Sequence, residues 1–193
     1  MKNVVLKVML VGVIAMGMTS CELFRGPDRT GEIQLSSELF GTDSYYLFGY
    51  HYEDGEFYRF KIPHDPFQGD PVPDIINEPV RTLQNGEVVV LPQFTSPNKG
   101  EKVGLALIGK FQSLEDARNF YNDYNTVAND LQYEIESEIV EPYQVWIQRT
   151  GAGNYAKLLI KDILYDQGET GNKYSEVIME FTYQPNGSST FPD

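Results

Sequence analysis

Short runs of apolar, aromatic and β-branched residues, several of which alternate strictly with polar residues, recur along most of the chain. A period of two is the spacing of a β-strand with one buried face, and these residue types favour strands. Stretches rich in Gly, Pro, Asn and Asp separate the runs, which cover residues 31–35, 44–53, 56–62, 86–94, 103–111, 132–141, 143–149, 155–165 and 176–184. The pattern predicts a mainly β fold, either an antiparallel sandwich or a strongly curved sheet.

One segment has a helical period instead. Ser113 followed by Asp116 is typical of a helix N-terminus. Apolar residues then recur at steps of three and four, at Leu114, Ala117, Phe120, Tyr121 and Tyr124. The sequence therefore predicts one α-helix that packs this stripe against the sheet.

The clearest turn signal is Asp54-Gly55, which lies between two aromatic-rich runs. With these two residues as the loop, His51 would pair with Tyr58 and Gly49 with Phe60. Glu53 would then face Glu56, and the repulsion between them could open the loop to four residues without a change of register. One face of this hairpin then carries Tyr45, Leu47, Gly49, His51, Tyr58, Phe60 and Ile62. The other face carries Tyr46, Phe48, Tyr50, Tyr52, Phe57, Arg59 and Lys61. Because neither face is polar, we expect both to contact something, or one to offer an aromatic surface to a ligand.

The remaining segments complete the predicted fold. Residues 63–79 are rich in Pro, Gly and Asp and predict a long irregular loop. The last four runs predict an antiparallel meander with one wet face. In the final run, the residues expected to face the core are Val177, Met179, Phe181 and Tyr183, and those expected to face solvent are Glu176, Glu180, Thr182 and Gln184.

The first twenty residues differ from the rest of the chain. Lys2 and Lys7 precede an uncharged run over residues 8–20, which is too short for a membrane-spanning helix. Met-Thr-Ser at 18–20 then precedes Cys21, the only cysteine. This pattern resembles a bacterial lipobox, which implies cleavage before Cys21 and attachment of lipid to it. The chain accordingly divides into a lipoprotein signal peptide (1–20), a lipidated tether (21–30) and a single mainly β domain (31–193).

The predicted lipid anchor and the charge of the chain set the expected location and partners. We expect a protein of the bacterial cell envelope, with the outer membrane favoured over the inner. The formal net charge is −13 at pH 7. Such a charge repels phosphate backbones and argues against nucleic acid binding. It also gives little attraction to anionic head groups, so the acyl chains should supply the membrane contact.

Residues suited to catalysis are few. The chain has two histidines, His51 and His64, and the sequence shows no nucleophile elbow, P-loop, zinc-protease motif or EF-hand loop. Glutamates at positions 134, 136 and 138 alternate along one run, which favours a solvated strand face over a carboxylate pair for glycoside hydrolysis. Enzymatic activity is therefore not expected.

Three aspartates of the predicted long loop are the best candidates for a metal site. Asp65, Asp70 and Asp74 could gather a calcium ion, but their spacing matches no known calcium loop. We therefore predict no metal site.

Two segments near the C-terminus resemble the tail of the HmuY-like haem-binding lipoproteins. "TGAGNYAKL" at 150–158 is similar to the family's T-x-x-G-x-Y-A-K pattern, and "YQPNGSSTF" at 183–191 is similar to its Y-Q-P-[ND]-G ending. "YLFGYHYEDGEF" followed by "PDII" is a weaker likeness to the family's strand pair and W-D-I-A segment, with Pro73 in place of the Trp. The resemblance implies a mostly β fold, a lipid anchor and non-catalytic capture of haem between axial ligands. Neither histidine matches the family's ligand positions.

A haem-binding domain needs a ligand for the iron, and histidine is the commonest. His64 is the first candidate, because a loop residue can swing onto a porphyrin held by the aromatic hairpin. His51 is the second, although its place on the hairpin favours a partly buried structural histidine. Met179 is the third, although its place on an apolar strand face favours core packing.

Two functions are consistent with these features. The first is a lipid-anchored envelope binding protein that captures haem or another flat, apolar ligand on an aromatic surface. The second is a structural or protein-interaction module of the envelope with no small-molecule ligand, in which the aromatic surface contacts a partner protein.

Replacement of Cys21 by Ala should abolish lipid attachment, because the thiol is the only atom that can carry the thioether. Metabolic labelling with a clickable fatty acid measures the attachment. Equal label on the variant and on the wild type would contradict the lipoprotein prediction.

Overall fold

The structure is a computed structural model that describes residues 29–42, 44–63, 65–67, 69–98, 103–168 and 171–191. The strands in these ranges are β1 (Thr30–Ser36), β2 (Tyr46–His51), β3 (Glu56–Lys61), β4 (Asp65–Pro66), β5 (Ile76–Gln84), β6 (Glu87–Thr95), β7 (Gly104–Lys110), β8 (Glu136–Ile139), β9 (Gln144–Arg149), β10 (Tyr155–Gln167) and β11 (Lys173–Gln184). One helix, α1 (Leu114–Asp123), lies between β7 and β8. The predicted mainly β fold with one packed helix is confirmed. Within the described ranges, no helix has the length and apolarity needed to cross a bilayer.

The larger sheet has five antiparallel strands in the order β1-β11-β10-β9-β7. β9, β10 and β11 follow one another as a meander, as the sequence predicts. The turn between β9 and β10 is closed by the Gly153 amide, which donates to the Thr150 carbonyl, and Gly153 has a positive φ of 82°. That backbone region favours glycine over residues with a Cβ.

The second layer consists of two three-stranded antiparallel sheets, β2-β3-β4 and β5-β6-β8. They meet where the Tyr50 amide donates to the Ile75 carbonyl, just before β5, at 2.9 Å. Gly49 allows this approach, because a Cβ there would lie 2.5 Å from Ile76 Cγ2 and 2.7 Å from two Pro73 atoms. The hairpin β2–β3 is therefore fixed against the start of β5.

The main core lies between the two layers. Its buried residues come from both layers and include Leu35, Tyr50, Tyr52, Ile75, Phe94, Trp146, Leu158, Val177, Met179, Phe181 and Tyr183. The predicted inward face of β11 is confirmed, since its four apolar residues are all buried. Met179 has no exposed surface, so it is a core residue and is not placed to ligate a bound ligand.

Helix α1 covers the outer face of the five-stranded sheet, as predicted. The Ser113 side chain accepts a hydrogen bond from the Asp116 amide, which satisfies one of the free donors of the first turn. Ala117 and Tyr121 are buried against Val145 and Leu159 of the sheet. The stripe of apolar residues thus determines which side of the helix docks.

The C-terminal end of α1 is held by a lysine from the sheet. Lys157 is 3% exposed, and its Nζ donates to the carbonyls of Tyr121 and Tyr124. The last turn of α1 has no basic residue of its own, so Lys157 supplies the favourable cation at this end. Burial lowers the pKa of Lys157 to about 8.

The register of the hairpin differs from the prediction by two residues. His51 pairs with Glu56 and Gly49 with Tyr58, so a four-residue loop, 52–55, joins the strands. The physical reason is Tyr52, which leaves the strand because its amide donates to Asp74 Oδ2 at 3.0 Å. A shift of two preserves which side chains share a face, so the two predicted faces are retained.

Two of the remaining predictions about strands are wrong. Residues 76–79 belong to β5 and not to the loop, and Pro79 is tolerated because β5 is the edge strand of its sheet. β8 is short and pairs with β6 in the second layer, so the meander contains three strands and not four. Ile135 is 47% exposed, whereas Ser137 is the buried residue of β8.

The outward face of β11 also differs from the prediction. Thr182 does not face solvent, because helix α1 covers it. Its hydroxyl lies 2.7 Å from the Tyr121 hydroxyl, which joins the helix to the sheet.

Phe181→Ala should lower the free energy of unfolding by about 3–5 kcal/mol, because it leaves a cavity in the main core. Thr182→Ala should cost about 1 kcal/mol, because the Tyr121 hydroxyl loses its nearest partner. Glu176→Ala is the control on the same strand. It removes an exposed hydrogen bond from the Gln34 side chain and should change stability by less than about 0.5 kcal/mol. Urea midpoints measure all three, and a larger effect at Thr182 than at Phe181 would contradict the assignment of faces.

Candidate functional site

One face of the hairpin β2–β3, together with Phe40 before it and Phe67 after it, forms a cluster of partly exposed aromatic side chains. We call Phe40, Tyr46, Phe48, Phe57 and Phe67 the aromatic face. Ring centroids of Phe40, Tyr46 and Phe48 lie 5.6–5.8 Å from one another, and Phe67 meets Tyr46 edge-on at 5.5 Å. Phe48 and Phe57 are 38% and 42% exposed. A flat ligand could therefore lie against several rings at once.

The packing of the hairpin explains why this face stays accessible. Leu47 and Phe60, on the opposite face, are buried with Ile76. At the loop end, the ring of Tyr50 is buried between Phe57, at 5.0 Å, and Phe181 of the main core, at 5.5 Å. The aromatic face thus begins in the core and becomes more exposed along the hairpin.

Two cations lie beside the rings. Arg59 pairs with Phe48 across the strands, and Lys61 pairs with Tyr46. The Arg59 guanidinium lies 4.5 Å and Lys61 Nζ 4.8 Å from the centroid of the Phe67 ring, which are cation–π distances. A ligand with a flat apolar body and a negative group would meet both features here.

His51 lies at the end of β2, on the face opposite the aromatic face. Its Nδ1 lies 3.1 Å from Asp54 Oδ2 without the geometry of a hydrogen bond, and its ring meets Tyr58 edge-on at 6.0 Å. The Tyr58 hydroxyl donates to the same Asp54 oxygen. His51 is therefore not positioned to ligate a metal above the aromatic face.

A polar cavity of about 290 Å³ lies next to His51. It is also lined by Glu53, Asp74, Asn98 and Thr150. Asp74 is 4% exposed, and one of its oxygens accepts from the Tyr52 amide. Burial raises the pKa of Asp74 from 3.8 to about 6, against the opposing effects of the Tyr52 hydrogen bond and of His51.

The structure separates most of the residues that the sequence singled out. Cys21 and His64 lie outside the described residues. Asp70 lies 3.5 Å from Arg59, and Asp74 is buried beneath Tyr52, so neither joins a shared cation site. Among the described residues, no cluster of three His, Cys, Asp or Glu side chains could hold a metal ion.

Sequence reasoning missed the role of the segment at 150–158. The Asn154 amide donates to the Thr150 hydroxyl, and the Asn154 side chain donates to the Tyr183 hydroxyl at 2.8 Å. Lys157, in the same segment, holds the end of α1. In this chain the conspicuous residues of the segment thus form a turn, a link to β11 and a helix cap. The sequence signal for the turn was Gly153, which lies between the predicted runs 143–149 and 155–165.

Asp74→Asn should stabilise the protein at pH 7.5. The pKa of Asp74 is higher in the folded state than in the unfolded state, so ionisation of this carboxyl costs the folded state about 3 kcal/mol once the pH is above 6. The advantage of the variant should shrink as the pH falls from 6 towards 4.

Urea midpoints of wild type and variant at pH 4.5 and 7.5 measure this difference. Asp70→Asn, the same change at a partly exposed position, is the control and should change stability by less than about 0.5 kcal/mol. A variant that loses stability relative to wild type as the pH rises would contradict the prediction.

The chain was compared with known proteins. No protein-family model matches it, and no curated protein matches it at a significant level.

Proposed function

We propose that the protein is a lipid-anchored, non-catalytic binding protein of the bacterial cell envelope that holds haem or another flat, apolar ligand against the aromatic face. The observation that carries the proposal is the exposure of Phe48 and Phe57 on a face that continues into the core. Monomeric proteins rarely expose contiguous apolar patches without a binding role.

The aromatic face offers both contact area and orientation. Edge-to-face and offset ring contacts contribute about 0.5–1.5 kcal/mol each beyond the burial of area. Lys61 can pair with a negative group at the edge of such a ligand, and Arg59 can do so by exchanging its ion pair with Asp70 at 3.5 Å, as the two propionates of haem would require. The rest of the hairpin is held by the core, so the rings are positioned before the ligand arrives.

An iron ligand, if haem is bound, would come from His64. Asp65, which follows His64 in the sequence, lies in β4 opposite Lys61 of β3, and Lys61 borders the aromatic face. His51 lies on the opposite face and Met179 is in the core, so both are weaker candidates.

Attachment to the envelope rests on the lipobox-like residues before Cys21. The outer membrane is the favoured location. A lipid on Cys21 would hold the domain at the bilayer without help from the acidic surface.

The alternative is a structural or protein-interaction module without a small-molecule ligand. The observation that favours it is a second set of exposed apolar side chains at the ends of the hairpins β5–β6 and β10–β11. They are Leu83, Val88, Leu164 and Tyr165, with Leu83 73% exposed.

Titration of the purified protein with haem, followed in the Soret region, should show saturable binding at micromolar concentration. Phe48→Ala should weaken binding about tenfold, or about 1.4 kcal/mol, because a ring contact is lost. Tyr45→Ala, which removes a more exposed ring from the residue just before β2, is the control and should bind as wild type does. His64→Ala should weaken haem binding tenfold or more but leave metal-free protoporphyrin binding unchanged, whereas His51→Ala should mainly lower stability.

The outcomes separate the two functions. No Soret change in the wild type would end the haem proposal and favour the interaction module. Binding that is unaffected by Phe48→Ala would move the ligand away from the aromatic face. Unchanged haem affinity in His64→Ala would exclude His64 as the iron ligand.

A further inference from the structure

A second cavity, which shares no lining residue with the aromatic face, lies beside the β9–β10 turn. Its volume is about 440 Å³, and its lining includes Val127, Leu131, Tyr133, Arg149, Tyr155 and Ser189. We call it the Arg149 cavity. Small-molecule sites have volumes of about 300–1,000 Å³, so it is large enough for an organic ligand.

We propose that the Arg149 cavity binds a small organic carboxylate, with its negative group on Arg149 and the Tyr133 hydroxyl and its apolar body against Leu131, Val127 and Tyr155. This proposal is independent of haem binding. It rests on two buried donor atoms that have no hydrogen-bond partner among the described residues.

The first donor is Arg149. Its Nε is buried and has no hydrogen-bond partner, and no ion pair in the described part of the chain includes its guanidinium. The guanidinium carbon lies 5.8 Å from the centroid of the Tyr155 ring. Arginine presents a planar fork of donors that matches a carboxylate in two parallel hydrogen bonds.

The second donor is the hydroxyl of Tyr133, which is buried and has no hydrogen-bond partner in the described ranges. Desolvation by burial raises the pKa of Tyr133 well above its ordinary value, so the hydroxyl stays protonated and can donate. Buried polar groups without partners are rare in proteins, and each costs about 1–3 kcal/mol. The described residues thus place two donors without an acceptor beside one cavity, and a bound carboxylate would supply that acceptor.

The rest of the lining determines what kind of anion fits. Val127 is buried in a cluster with Ile147 and Phe191, and Leu131, Tyr133 and Tyr155 pack against that cluster. Asn129, Gln132 and Ser189 add polar groups to the lining, so a bare inorganic anion would contact only this polar part of the cavity. An aromatic or aliphatic body attached to a carboxylate would cover the apolar part and keep the charge at Arg149.

The probes for the test are phenylacetate, its neutral analogue phenylacetamide, and inorganic phosphate, each added to the full chain at millimolar concentration. Calorimetric titration and the ligand-induced rise in melting temperature measure binding. We expect phenylacetate to bind at least tenfold more tightly than either of the other two. No binding of phenylacetate, equal binding of the amide, or binding of phosphate as tight as that of phenylacetate would overturn the proposal.

Two variants test the two donors. Arg149→Gln should weaken phenylacetate binding at least tenfold, and Tyr133→Phe should weaken it severalfold. Tyr133→Phe removes an unpartnered hydroxyl and keeps the ring, so the variant without ligand should fold as stably as wild type or more so. An unchanged or higher melting temperature of the ligand-free Tyr133→Phe variant therefore shows that weaker phenylacetate binding is not caused by unfolding.

Arg118→Gln is the matched control. It removes the same charge from the chain, but Arg118 is paired with Glu180 on both of its terminal nitrogens, outside the Arg149 cavity. Phenylacetate should bind this variant as tightly as wild type. An equal loss of binding in Arg118→Gln and Arg149→Gln would show a general effect of charge and overturn the proposal.

Discussion

The two layers of the protein are joined by hydrogen bonds among Tyr52, Asp74 and Gln148, and the position of the hairpin depends on them. The Tyr52 hydroxyl donates to the Gln148 side chain at 2.8 Å, the Gln148 side-chain Nε2 donates to the Asp74 backbone carbonyl, and the Tyr52 backbone amide donates to the Asp74 carboxylate. All three residues are buried, so leaving any of these groups unpaired would cost about 1–3 kcal/mol. The hairpin therefore has one favourable position, and that position determines which rings of the aromatic face remain exposed.

The same hydrogen bonds explain what the sequence could predict about the hairpin. Alternation at a period of two assigns side chains to faces, and a shift of two residues leaves that assignment unchanged. That Tyr46, Phe48 and Phe57 share a face was therefore predictable. The addition of Phe40 and Phe67 to that face, and the pairing of His51 with Glu56, were not. The pairing depends on a bond from Tyr52 to Asp74, which is 22 residues away and has no local sequence signal.

Other differences between the predicted and the observed strands have local causes, and strand β5 could have been predicted. Asn85-Gly86 is a strong hairpin signal, and both residues have positive φ, yet Pro79 suggested a loop where β5 runs. Thr182 was expected to face solvent because alternation does not show that a helix covers the outer face of the sheet. The Arg149 cavity could not be predicted at all, since Tyr133 and Arg149 meet only when the chain after α1 folds back over the five-stranded sheet.

The placement of cations connects the two binding proposals. In a chain of net charge −13, carboxylates are abundant, and Arg118 and Lys161 both contact Glu180. Arg149, Lys61 and Lys157 instead lie against aromatic rings, and Lys157 donates only to carbonyls. The net negative charge of the chain repels a free anion at long range. A cation that lies over a ring therefore attracts an anion only when the anion is already close. An anion that also brings an apolar body gains ring contacts that a bare ion cannot make, and both sites should therefore select amphipathic anions over inorganic ones.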